Sequence, residues 1–217
     1  MQSIRVAVVT GGHTFNVPGF HNLFRALPEA DCYIQHMENY SNASPDTRAG
    51  YDVVLFYNMH METPTGEESR WEVKKIKTVL EQLGEARPGI FVLHHAILSF
   101  PDWPLWSEIV GIQDRRFSYY PNQKIHVDIA NADHPIPRGL APWDMVDETY
   151  AMADAGPDSD ILLTVDHPHS MKTIGWTRTY RASRVFCLAL GHDNKAYTHP
   201  MFRTLVGRGI AWCAGRL

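Results

Sequence analysis

The run Pro88-Gly89-Ile90-Phe91-Val92-Leu93-His94-His95-Ala96-Ile97, opened by Arg87, constrains this chain more than any other stretch. After a Pro-Gly turn come large apolar residues with no polar alternation, and the run ends on two adjacent histidines. Such a run reads as a strand buried on both faces, the situation of a parallel sheet covered by helices. In open α/β sheets ligands bind outside the carboxyl ends of the strands, so a histidine pair placed there marks a candidate site. Neighbours on a strand point to opposite faces, so one of His94 and His95 is expected to aim at a given pocket.

Other segments fit the same architecture. Ile4 to Thr10 reads as a first strand that breaks at Gly11-Gly12 into a loop holding His13, Thr14 and Asn16; Gly19 to Leu27 reads as a short helix. Cys32 to Met37 and Tyr51 to Tyr57 read as further strands, the latter followed by Asn58 and His60. Glu67 to Leu83, with Trp71, Ile76, Val79, Leu80 and Leu83 on one side and lysines on the other, predicts a helix that Gly84 ends. An aromatic, proline-broken stretch from Phe100 to Trp106 leads into a short helix reaching Val110. The alternation of Lys124 to Ile129 predicts a strand with one wet face, antiparallel and at an edge. Asp133-His134-Pro135-Ile136 has the form of a helix start, and Asp147 to Tyr150 that of a loop or short strand. Ile161 to Val165 is a strand, Trp176 to Tyr180 and Arg184 to Leu190 a hairpin, and the chain closes on a helix from Pro200 burying Phe202, Leu205, Val206, Ile210 and Cys213. The βαβ alternation predicts a mostly parallel sheet with helices on both faces.

With 217 residues the chain is expected to form a single domain over 1–217. Its net charge of -4 gives no electrostatic reason for nucleic acid or an anionic membrane as partner. Neither a signal-like apolar region nor a membrane-length run is present, so a cytoplasmic protein is expected. The three cysteines, Cys32, Cys187 and Cys213, are an odd number without CxxC spacing, which argues against a disulfide framework or thiolate zinc site, and Cys187 and Cys213 read as small buried hydrophobes.

Histidine is the unusual component, at 12 residues. Seven of these, His13, His60, His94, His95, His167, His169 and His192, fall at or just beyond predicted strand ends. Imidazole titrates near neutrality and binds divalent metals, so the pattern suits acid-base work or metal ligation, with His13, His94 and His192 as candidate ligands for a cation such as zinc. Glu148 and Asp193 are placed to orient a histidine. Trp103, Trp106, Trp143 and Trp176 read as lying in loops, where a flat ring can serve as platform for the apolar face of a sugar or simply pack. His167-Pro168-His169 reads as a surface turn, and Arg115, Arg116, Arg178, Arg181 and Arg184 as anion-binding or solvated. No glycine-rich phosphate loop accompanies them, and no nucleotide cofactor is expected.

Several short motifs, in order over nearly the whole chain, resemble the trehalose-utilisation (ThuA-like) family. They are Val9-Thr10-Gly11-Gly12-His13, Tyr51-Asp52-Val53-Val54, Val92-Leu93-His94-His95-Ala96, His134-Pro135-Ile136 before Gly139-Leu140, Asp147-Glu148-Thr149-Tyr150, and Arg184-Val185-Phe186 running to Gly191-His192-Asp193. The resemblance implies a flavodoxin-like, class I glutamine amidotransferase-like fold and a role in sugar metabolism. True glutamine amidotransferases carry a cysteine on the turn after this strand and a His-x-Glu further on. Here the turn holds His94-His95 with no cysteine near, so thioester chemistry on glutamine is not expected, while His192 falls where that fold keeps its histidine. The family's Gly-x-Gly before the Arg-Val-Phe strand is replaced by Arg181-Ala182-Ser183.

The expected function is an enzyme acting on a disaccharide or an oxidised sugar derivative. His94 or His95 with His192 are the candidates for proton transfer or ligation, oriented by Glu148 and Asp193. His13, Asn58, His60, Trp103 and Trp176 are the candidates to line the pocket. The alternative is a non-catalytic sugar-binding or regulatory protein on the same fold; in either case a small carbohydrate is the expected partner, and a homo-oligomer is left open.

Overall fold

The computed structural model describes residues 3–85 and 88–217, so Arg87, which opens the run quoted first, lies outside the described residues. Strand β1 (Ile4–Gly11) is almost wholly buried and ends where Gly12 takes φ +73°. A Cβ at Gly12 would stand 2.4 Å from the Met59 carbonyl oxygen, so only glycine lets these two loops touch. Helix α1 (Val17–Arg25) starts where the Asn16 side chain accepts from the Gly19 N–H at 2.8 Å, and it buries Phe20, Leu23 and Phe24. Strand β2 (Ala30–His36), short helices α2 (Met37–Asn42) and α3 (Pro45–Ala49), and strand β3 (Val53–Asn58) follow. Helix α4 (Ile76–Glu81) leads to β4 (Gly89–Leu93), then a 3-10 turn over His94–Leu98 and helix α5 (Pro104–Val110).

The second half is built of strands β5 (Ser118–Ile129), β6 (Trp143–Ala151), β7 (Asp160–Val165), β8 (Thr173–Tyr180) and β9 (Ser183–Leu188), closed by helices α6 (Asn194–Tyr197) and α7 (Pro200–Cys213). The nine strands of the described residues form one sheet in the order β2-β1-β3-β4-β9-β8-β7-β5-β6. The half from β2 to β9 is parallel and the remaining pairings are antiparallel. The strands at Ile4, Val53, Phe91 and Val185 therefore lie side by side and parallel, as their unbroken apolar runs predict. Helix α7 buries the five residues expected of it and lies so close to the sheet that Gly209 sits directly over Phe186 and Phe91.

Some expectations fail for identifiable reasons. The helix expected over Glu67–Leu83 is regular only from Ile76 to Glu81, and Trp71 is exposed. At about 100° per residue, Trp71 stands well off the stripe formed by Ile76, Val79, Leu80 and Leu83, so burial of that stripe does not extend to it. The Asp133–Ile136 start does not propagate, because Pro137 and Gly139 stop it after one turn. The strand Lys124–Ile129 is antiparallel as expected, but β6 covers it and takes the edge position. Asp147 to Tyr150 belongs to β6.

Candidate functional site

Four parallel strands stop at one edge of the sheet, and each delivers polar groups there. His13 follows β1, Asn58 closes β3, His94 and His95 follow β4, and His192 follows β9. At Gly191 φ is +122° and a Cβ would meet the Phe202 ring at 2.9 Å, so this turn also requires glycine. His94 takes φ +54°, uncommon for a residue with a side chain, on the sharp turn out of β4. The four rings converge: centroids are 4.5 Å apart for His13 and His95, 5.3 Å for His94 and His95, 5.4 Å for His94 and His192, and 6.0 Å for His13 and His192. Both members of the tandem pair thus face one cluster, against the expectation of one. They lie past the strand, on a 3-10 turn with a left-handed first residue, where strand alternation no longer applies.

Glu148 and Tyr150 reach the same cluster from β6, although four strands separate β6 from β4 in the sheet order. The β5–β6 ribbon shifts register between Tyr120 and Gln123, where Asn122 takes φ +58°. Such a bulge bends a ribbon and strengthens its twist, helping to swing the end of β6 over the parallel strands.

His94 is completely buried and occupied at both nitrogens. With its Nδ1–H donating to the Ala189 carbonyl at 2.7 Å, its Nε2 accepts from the Tyr150 hydroxyl, also at 2.7 Å. The Glu148 carboxylate bridges, with Oε1 3.6 Å from His94 Nε2 and Oε2 3.7 Å from His192 Nε2. Burial alone would raise the Glu148 carboxyl, but the two imidazoles and Tyr150 outweigh it and hold it below its ordinary value. Burial, reinforced by the Glu148 charge, pushes the Tyr150 phenol well above its ordinary value, so it stays a donor. Burial lowers His13, and burial together with the neighbouring imidazoles lowers His95 well below the ordinary value. Both therefore sit neutral at pH 7, each ring with one donor and one acceptor nitrogen. His95 Nδ1–H donates to the Asn58 carbonyl at 3.2 Å, while its buried Nε2, like His13 Nδ1 and Asn58 Oδ1, has no hydrogen-bond partner among the described residues.

Asp147 was not singled out as a site residue in the sequence, yet it organises this edge. Its carboxylate accepts from the backbone N–H of Gly191 at 2.6 Å, His192 at 3.0 Å and Glu148 at 2.9 Å. It ties the loop carrying His192 to the strand carrying Glu148. Burial raises its carboxyl, although His94 and these three donors oppose the rise. The signal was its place beside Glu148 in an alternating strand, where the inward neighbour of a site residue is buried.

Other expected members stand elsewhere. Asp193, expected to orient a histidine, caps α6 through the Lys195 N–H at 2.8 Å. His60 stacks on Phe100 with centroids 5.7 Å apart and receives the Asn58 amide at Nδ1, at the margin of the cluster. Trp103 and Trp176, expected to line a pocket, are core residues. Trp176 has no exposed surface and donates its indole N–H to the Val110 carbonyl, while Trp103 packs edge-on against Phe100. His167 and His169 sit on the turn after β7, where His169 stacks on Tyr120. The buried guanidinium of Arg115 is turned inward, donating to the carbonyls of Ser99, Phe100 and Trp103 and to Ser107 Oγ and fixing the loop behind His94 and His95.

The half-parallel nine-stranded sheet, with its polar strand ends gathered at one edge, defines a protein of the class I glutamine amidotransferase-like fold. A glutamine amidotransferase from Thermotoga maritima superposes with TM-score 0.50 at 10% identity, covering 88% of this chain and 76% of that one. A putative ThuA-like protein from Parabacteroides merdae superposes with TM-score 0.75 at 20% identity, covering 98% and 90% of the two chains. One from Bacteroides uniformis gives 0.72 at 17%, covering 98% and 91%. Among curated proteins none matches the chain in sequence. The family model for ThuA, trehalose utilisation, matches residues 5–213, and the chain belongs to that family.

Proposed function

We propose that this ThuA-family protein is an enzyme of carbohydrate metabolism, acting on a disaccharide or an oxidised sugar derivative by acid-base chemistry at the histidine-rich edge. The observation that carries the reading is the convergence of His13, His95, His94 and His192 with Glu148. Imidazoles with no common task are unlikely neighbours, because each burial adds a desolvation cost and each raises the others' cost of protonation. Glu148 and His192 are the groups suited to touch substrate, their side chains being 11% and 31% exposed. A low-lying carboxylate beside an imidazole gives a base and an acid within one proton transfer of each other. A carbonyl on the sugar would acidify the neighbouring C–H, and a carboxylate beside an imidazole suits removal of such a proton.

In D2O the protein should exchange deuterium into trehalose bearing an oxidised ring carbon, or convert it, as followed by proton NMR. Glu148→Gln and His192→Ala are expected to lose about 10²–10⁴-fold, the usual worth of a general acid or base. A non-catalytic sugar-binding role is the second reading, favoured by the buried polar atoms His95 Nε2, His13 Nδ1 and Asn58 Oδ1, which have no hydrogen-bond partner among the described residues and suit sugar hydroxyls. Saturable binding of these sugars with neither exchange nor conversion would select it over the enzyme.

A further inference from the structure

We propose that His94 Nε2, His192 Nε2 and the Glu148 carboxylate form a divalent-cation site of the zinc type, and that the Tyr150 hydroxyl competes with the cation for His94. The proposal deepens the catalytic reading of this edge, and rests on it only for the use to which a cation would be put. Ligand atoms from the three residues lie within 4.8 Å of one another and come from three separate segments. Zinc bonds of about 2.0–2.2 Å place tetrahedral ligands roughly 3.3–3.5 Å apart. Glu148 Oε1 stands 3.6 Å from His94 Nε2, close to that, while His192 Nε2 stands 3.7 Å from the other oxygen, Oε2, so the remaining movement toward a shared cation falls to His192, the most exposed of the three.

Two histidines and a carboxylate suit zinc, and three protein ligands leave a coordination position open for water or substrate. The supporting groups are those a ligand set needs. His94 Nδ1–H is fixed on the Ala189 carbonyl, which sets the tautomer and aims Nε2. Asp147 holds the backbone of both other ligands. His13, a candidate ligand in the sequence, is outside the trio.

Tyr150 makes the site conditional. An imidazole nitrogen has one lone pair, and on His94 Nε2 the Tyr150 hydroxyl occupies it at 2.7 Å. A cation must displace that hydrogen bond. The hydroxyl can yield because Glu148 is a second partner for it.

The test is calorimetric titration of Zn2+ into the untagged full chain, with exposed His126 and His169 replaced by glutamine to remove adventitious surface sites. One zinc per chain is expected. His192→Ala and Glu148→Gln should weaken binding at least tenfold, His13→Ala should leave it within about threefold, and Tyr150→Phe should tighten it about tenfold. Melting curves without zinc check that each variant is folded. No stoichiometric binding by either the parent or Tyr150→Phe, or His192→Ala binding like the parent, overturns the site. A loss in His13→Ala as large as in His192→Ala overturns the ligand set, and Tyr150→Phe binding equally or more weakly overturns the competition. Because no sugar is present, a failed exchange assay leaves this result standing, and a failed titration leaves the exchange assay standing.

Discussion

Asp147 and His94 show how single residues set the chemistry of this edge. One carboxylate satisfies three backbone donors, and one imidazole at positive φ turns its ring away from the strand it follows. The cysteines stand apart from this edge: Cys187 and Cys213 are buried, each thiol directed at a backbone carbonyl, and Cys32 is half-buried. Burial pushes the Cys32 thiol up to about 12 and those of Cys187 and Cys213 higher still, so thiolate is scarce at neutral pH. Iodoacetamide at pH 7.5 should leave the folded protein unlabelled and label it promptly in urea, read by intact mass; rapid labelling of the native chain would contradict this burial. His60 has a pH consequence. Burial lowers its folded value below the ordinary 6.5, so below about pH 6.5 the unfolded chain binds the extra proton and the folded chain does not. Its contribution to stability is therefore present above that pH and lost as pH falls. Urea midpoints taken from pH 7.5 to 5 should fall less steeply in His60→Gln than in the parent; parallel curves would show that His60 titrates alike in both states.

Elements follow the sequence where burial is one-sided or complete, and depart from it where neighbours intervene. Helix α7 was legible from Phe202, Leu205, Val206, Ile210 and Cys213 because helical spacing and burial coincide along it. The segment before α4 was not, since Trp71 is apolar yet faces away from the core. Close approach also has no sequence signal of its own. Gly209 lies in the middle of α7, where alanine has the better helix propensity by about 1 kcal/mol. A Cβ there would stand 2.4 Å from Phe186 Cδ1, in a buried ring with no room to retreat. Gly209→Ala should accordingly destabilise by about 1–3 kcal/mol, the range for overpacking, in urea unfolding. A stabilised variant would mean that α7 stands further from the sheet.

At the scale of the whole molecule, one sheet and one continuous hydrophobic cluster run through the described residues. Unfolding in urea is therefore expected as a single transition, coincident by tryptophan fluorescence and far-ultraviolet circular dichroism. Two separated midpoints would show that the antiparallel half from β8 to β6 folds on its own. The same sheet assembles the site from strand ends distant in sequence. What the sequence by itself determined is the parallel core and the polar residues at its carboxyl edge, because a strand buried on both faces must be apolar throughout and can carry histidine only where it ends. Only the tertiary structure decided which of those residues meet. His94 and His95 face one cluster because the backbone turns left-handed after β4. Glu148 and Tyr150 join them because the β5–β6 ribbon bends back across the sheet, and Trp176 leaves the site because its strand is covered. Local sequence encodes burial and period, whereas the meeting of side chains from β4, β6 and β9 depends on strand order and ribbon curvature, which arise only when the whole sheet is formed.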